Sequence, residues 1–182
     1  MAMKKYITPE YITADEIKKI RKTLGLTQRE FAVLVGISQS SVERWEAGNT
    51  SLTGPLVLLM ELLAKHPEYL QEITVPAKVY PLRLWYMHKQ TVCTLIDVDE
   101  VKQELEIRNY TDNLMFRAFG IVEHPDYEMY TEFLKSRCFP ESRDKMKLVL
   151  QDLNLPFYDP FMIIEKTEGR MAEDDFWIKI ER

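Results

Sequence analysis

The chain has 182 residues, 46% of them hydrophobic and 29% charged, with a formal net charge of −5. This composition is too apolar for a disordered chain, and the length suits one or two domains of roughly 100–200 residues each. The longest apolar run, Pro55-Leu56-Val57-Leu58-Leu59-Met60, ends at Glu61, far short of the roughly 18–20 residues of a membrane helix. Met1 to Pro9 carries no apolar stretch of the secretory kind, so the cytoplasm is the expected location. Cys93 and Cys138 stand 45 positions apart with no CxxC, which excludes a disulfide framework and a Cys-rich zinc site.

The charge is unevenly spread. Residues 1–76 hold nine Lys/Arg and nine Asp/Glu, whereas residues 77–182 hold 15 against 20, so the whole net charge falls in the second half. Within the neutral half, Lys4, Lys5, Lys18, Lys19, Arg21 and Lys22 crowd one short stretch. A basic face of that kind can meet phosphates on an otherwise acidic protein.

In chain order, Thr13-Ala14-Asp15-Glu16 is a capping box, and Ile17, Ile20 and Leu24 follow at helical spacing until Gly25. Thr27-Gln28-Arg29-Glu30 repeats the box; Phe31, Leu34 and Val35 form the apolar face and Gly36 ends the helix. Ser38 caps a third helix, with Val42 and Trp45 inward, that runs to Gly48. A fourth extends from Pro55, a residue suited to the first helical turn, to Lys65, where His66-Pro67 halts it. These elements predict an all-helical bundle over residues 1–76. The tract Ile73 to Pro81 reads as a connection.

Beyond it the period changes. Leu82–Met87 and Thr91–Ile96, separated by His88-Lys89-Gln90, predict a β-hairpin. Leu105–Asn109 supplies a third strand, helices are expected over Tyr127–Ser136 and Ser142–Leu153, a short one starts at Asp159-Pro160, and Phe176–Ile180 closes as a strand. The expected fold class is α+β overall, an N-terminal helix-turn-helix bundle followed by a small α+β domain over 77–182.

The chemistry concentrates between Leu24 and Gly48. Ala32 is small enough for a close helix crossing, Gly36 makes the turn, and Ile37 and Val42 plug the space between the two helices. The second of these helices then turns Gln39, Ser40, Glu43 and Arg44 outward, and in a major groove Gln suits adenine and Arg suits guanine. The plain alternative is a helical hairpin with a solvated polar face. Against it stand two capped helices, a small residue facing a turn glycine and Trp45-Glu46-Ala47-Gly48, all at fixed offsets.

This stretch resembles the Xre/Cro-type helix-turn-helix family across residues 13 to about 72. The resemblance implies that Gln28 bonds a phosphate, and that Gln39, Ser40 and Arg44 read bases. Ser38 and Ser41 then touch backbone or base, and Asn49 and Thr50 approach the next phosphate. Glu43 is the odd member, since a carboxylate near phosphates is unfavourable unless it accepts from cytosine or pairs with Arg44. Arg29 reads as a solvated helix residue or a phosphate contact. Trp45 and Glu46 read as structural, one in the core and the other capping or paired with a basic residue. Trp45–Gly48, Thr53-Gly54-Pro55 and His66-Pro67-Glu68 look like the DNA-binding domain of HigA/MqsA-type antitoxins, without the zinc domain that the MqsA branch carries. Domains of this kind gain affinity by dimerising on palindromes, so a homodimer on double-stranded DNA is expected.

In the second half, Arg137 to Met146, Leu153-Asn154-Leu155 and Asp174 to Ile178 weakly resemble a small domain preceding the core of HipA-like toxin kinases. That implies a place beside a kinase-like toxin, as its antitoxin partner through the C-terminal domain or as a fused regulatory piece. Chemistry of its own is not expected there. No Gly-rich loop cradles a phosphate, and His66, His88 and His124 have no ligand spacing. No cofactor and no metal are therefore predicted. Cys138 beside Arg137 reads as a structural thiol, Glu168 with Glu173-Asp174-Asp175 as a solvated loop, and Arg137 and Arg143 as partners of Glu141 or Asp144 rather than an anion site. Trp85, Tyr86, Phe133, Phe157, Tyr158 and Trp177 are expected in the core and on a partner surface. The expected function is a sequence-specific transcriptional repressor, in its favoured form an autoregulating antitoxin. A regulator whose C-terminal domain senses a small molecule, and an interaction module without DNA affinity, are the alternatives.

Overall fold

The computed structural model describes residues 5–48 and 51–182. It divides into two compact units, Met1–Thr74 and Val75–Arg182. The first is helical: α1 (Ala14–Thr23), α2 (Gln28–Val35), α3 (Gln39–Ala47), α4 (Pro55–Lys65) and α5 (Glu68–Ile73).

Both capping boxes form. The Thr13 and Thr27 side chains accept from the N–H groups of Glu16 and Glu30, and each glutamate accepts in return from the cap backbone. Each reciprocal pair satisfies two amides that a helix start would otherwise leave orphaned. Gly36 ends α2 in the left-handed conformation at φ 71°, a backbone state that costs other residues dearly, and so permits the sharp turn into α3. Ile17, Phe31, Val42 and Met60 are fully buried, with Ile20, Leu34, Ile37 and Trp45 packed around them. Ahead of α1, Ile12 exchanges two backbone hydrogen bonds with Leu52, closing the segment after α3 against the start of the unit.

The fifth helix is an addition to the sequence reading. His66-Pro67 stops α4 as expected, but Pro67 then stands at the cap of α5, where a missing N–H costs nothing.

The second unit is a four-stranded antiparallel sheet in the order β3-β2-β1-β4, from β1 (Leu82–His88), β2 (Thr91–Asp99), β3 (Glu104–Asn109) and β4 (Phe176–Glu181). Between β3 and β4 run a 3-10 turn (Leu114–Phe116), α6 (Tyr127–Ser136), α7 (Met146–Asp152) and α8 (Pro160–Thr167). Leu82, Leu84 and Tyr86 of β1, Ile96 and Val98 of β2 and Ile178 of β4 join Tyr130, Phe133 and Leu134 of α6 and Ile163 and Ile164 of α8 in one core. The α+β class is as expected. The helix foreseen from Ser142 begins only at Met146, because Lys145 adopts a left-handed backbone (φ 60°) that blocks any earlier start.

Two buried arginines tie this unit together. Arg83 donates twice to Asp97, its directly opposed cross-strand partner, at 2.6 and 2.7 Å, and once to the Pro76 carbonyl. Asp97 also accepts from the Val79 N–H, so the tract leading into β1 is fastened to the sheet. Arg137, at the end of α6, donates to Asp174 twice, to the Gly169 carbonyl twice and to the Phe176 carbonyl. Its partner is thus Asp174, across the chain, and neither Glu141 nor Asp144, the neighbours that sequence proximity suggested. The solvated acidic loop is correspondingly less free than expected: Asp174 is held by Arg137, and Asp175 pairs with Lys89. Phe157, one of the aromatics expected in the core and on a partner surface, is outside the core and 58% exposed.

Candidate nucleic-acid interface

The helical pitch sets which side chains of α3 face outward. Val42 is buried and Trp45 packs on the core, which leaves Gln39 and Glu43 in one exposed row and Ser40 and Arg44 in the next. Ser38 caps the helix: its hydroxyl accepts from the Ser41 N–H and lies 3.0 Å from the Ser40 hydroxyl and 2.9 Å from that of Ser41. Gln39 donates from Nε2 to Glu43 Oε1 at 2.9 Å. The partner foreseen for Glu43 within the chain, Arg44, is not the one it takes. Arg44 is exposed and forms no ion pair among the described residues. Of the eight positions singled out in the sequence, Ser38, Gln39, Ser40, Ser41 and Arg44 gather on this one helix; Asn49 and Thr50 lie outside the described residues.

What holds α3 at its angle is a buried ion pair. Arg21, on α1, donates from Nε and Nη2 to the two oxygens of Glu46 at 2.5 and 3.0 Å, and from Nη1 to the Leu26 carbonyl at 2.6 Å. The two side chains are only 10% and 4% exposed. Gln28, the first residue of α2, adds a bond from Nε2 to Glu46 Oε2 at 2.9 Å. Three helices thus meet on one carboxylate. The Arg21 guanidinium beside it, with help from Gln28 and Lys18, holds the Glu46 carboxyl below its ordinary range.

This geometry revises two expectations. Arg21 is withdrawn from the basic face to which the sequence assigned it, leaving Lys18, Lys19 and Lys22 exposed on α1. Gln28, expected on a phosphate, spends one amide hydrogen on Glu46; its second amide hydrogen is what remains for an anion. The role expected for Glu46, pairing with a basic residue, is the one observed. Its partner stands 25 positions away, and no spacing rule selects it in advance.

Residues 1–74 match the family model described as the antitoxin component of a bacterial toxin-antitoxin system, MqsA. The N-terminal unit is antitoxin-like. Antitoxin MqsA of Escherichia coli (strain K12) is 35% identical over 72 residues, which cover 40% of this chain and 55% of that protein. Antitoxin HigA-2 of Vibrio cholerae is 37% identical over 62 residues, 34% of this chain and 60% of that one. Antitoxin PezA of Streptococcus pneumoniae is 51% identical over 41 residues, covering 22% and 26%. The chain therefore spans little more than half the length of the first two relatives. The family match ends at residue 74, where the first compact unit ends.

No helix among the described residues is long and apolar enough to cross a membrane.

Proposed function

We propose that the protein is a cytoplasmic, homodimeric repressor that binds its own promoter as the antitoxin of a toxin-antitoxin system. One observation carries this reading: α3 offers an exposed row of hydrogen-bonding side chains, ending in the guanidinium of Arg44, which forms no ion pair among the described residues, while its other face is locked to the core through Glu46. Rigid on one side and polar on the other, such a helix fits a major groove, where Arg44 matches the O6/N7 edge of guanine. The second amide hydrogen of Gln28 and the exposed Lys18, Lys19 and Lys22 supply phosphate contacts.

One unit makes few such contacts. With roughly 5 phosphates neutralised per monomer, log K falls by about 0.9 per contact for each decade of salt, and a lone unit binds weakly in the cell. Two copies on half-sites about 34 Å apart remedy this. The exposed Leu58, Leu59 and Leu62 of α4 and the exposed Tyr69 and Ile73 of α5 are the apolar side chains that a second copy would cover. The acidic second unit takes the toxin, of the kinase-like class that its resemblance to the HipA-associated small domain implies, and does no chemistry of its own. Repression is steric: the dimer occupies a palindrome and excludes polymerase, and the toxin alters its affinity.

The test is a gel shift of the full chain on the DNA upstream of its own gene. A retarded complex that Arg44→Ala weakens by roughly 1–3 kcal/mol supports the reading; no complex, or one indifferent to Arg44, overturns it.

A further inference from the structure

Gln39 and Glu43 stand one turn apart on the exposed row of α3, and the bond between them, 2.9 Å from Gln39 Nε2 to Glu43 Oε1, has only one chemically possible sense. An ionised carboxylate has no hydrogen to give, so the amide nitrogen of Gln39 must face Glu43 and the carbonyl oxygen must face away. A free glutamine on a helix surface rotates its carboxamide between two near-equivalent orientations; the bond to Glu43 favours one of them. The groups left over are one N–H and the carbonyl oxygen, a donor beside an acceptor. That is the complement of adenine in the major groove, which presents N7 as acceptor beside the N6 amine as donor.

A carboxylate on the face that approaches DNA opposes binding through its charge, and among the described residues Glu43 pairs with no cation and caps no helix. Its one side-chain hydrogen bond among the described residues is to the carboxamide of Gln39. We infer that Glu43 is a positioning residue that fixes the Gln39 carboxamide for adenine, trading affinity for sequence discrimination. The inference rests on the DNA-binding reading and deepens it: each half-site should carry an adenine whose selection depends on a residue that does not touch it.

Charge and orientation separate in two variants. Glu43→Gln removes the charge and also the orienting bond's single sense, since a second carboxamide can donate or accept. Glu43→Asp keeps the charge but is shorter by one methylene and does not reach Gln39. Both positions are exposed, so neither variant disturbs the core. The full-length protein is used to select duplexes from a pool randomised across the operator, and the bound fraction is sequenced. The wild-type chain should enrich adenine at one position per half-site by about tenfold. In both variants that preference should fall to about twofold while the other positions hold. Glu43→Gln alone should bind random-sequence duplex about threefold more tightly, because one repulsive charge is gone. An adenine preference unchanged in both variants overturns the inference, as does loss of a cytosine preference instead, which would make Glu43 itself the reader. Those results leave DNA binding intact. A wild-type chain that enriches no sequence at all overturns the DNA-binding reading and this inference together.

Discussion

Replacing Arg21 by alanine should undo the first unit from inside. The substitution removes a guanidinium that satisfies both oxygens of Glu46 and the Leu26 carbonyl, and leaves a carboxylate, 4% exposed, with the Gln28 amide as its remaining side-chain hydrogen bond among the described residues and Lys18 as a more distant charge. Breaking one side of a buried pair costs about 3–5 kcal/mol, because the surviving charge stays buried. A helical unit of this size has about 5 kcal/mol or little more to lose. Peptide-resolved hydrogen exchange on the full chain reads the two units separately. Amides of α1 to α3 should exchange at least a hundredfold faster, since each 1.4 kcal/mol is a factor of about ten, while those of β1 and β2 should not change. The double replacement Arg21→Met with Glu46→Leu should cost less than either single change, because no charge is left stranded. If Arg21→Ala accelerates exchange in α3 by less than about threefold, the claim that this pair sets the recognition helix is wrong.

Other outcomes follow from the same geometry. Because Arg21 holds the Glu46 carboxyl low, and Arg137 does the same for Asp174, the unfolded chain takes up protons before the folded one does as pH falls. Stability from both pairs is therefore full above about pH 5 and drains away below the ordinary carboxylate range near 4, which acid titration followed by circular dichroism measures. Gly169→Ala places a Cβ 3.3 Å from both the Arg137 Cβ and the Ile178 Cδ1, at a residue with φ 60°, so the second unit should lose about 1–3 kcal/mol in urea denaturation. Cys138 is buried and its thiol is pushed up to about 12, and Cys93 is buried and raised as well, so a thiol reagent at neutral pH should label neither until the chain unfolds. Ser38→Ala should cost the first unit about 1 kcal/mol through loss of the α3 cap, seen in the same urea titration.

Local rules made most of the first unit legible. Capping boxes, a left-handed glycine and helical spacing each act within a few residues, and the chain obeys them at Thr13, Thr27 and Gly36. The exposed row of α3 was readable for the same reason, since burial of Val42 fixes which neighbours face out. What escaped were contacts made at a distance. Arg21 looked like one more cation in a basic run until the fold brought Glu46 to it, and Arg137 found Asp174 and the Gly169 carbonyl more than 30 positions away. The start of α7 was misjudged because the pattern from Ser142 is helical, whereas the backbone at Lys145 is not. Phe157 shows that an aromatic ring alone does not specify burial.

The central claim is that the outward face of α3 sits in the major groove, and methylation interference tests it most directly. Operator duplexes methylated at guanine N7, an atom that lies in the major groove, are bound by the full chain, and the bound and free fractions are compared. Methylation should block binding at guanines grouped in two clusters one helical turn apart, and Arg44→Ala should relieve the interference at a single guanine of each cluster. Binding that methylation at N7 leaves untouched throughout the operator would contradict the account.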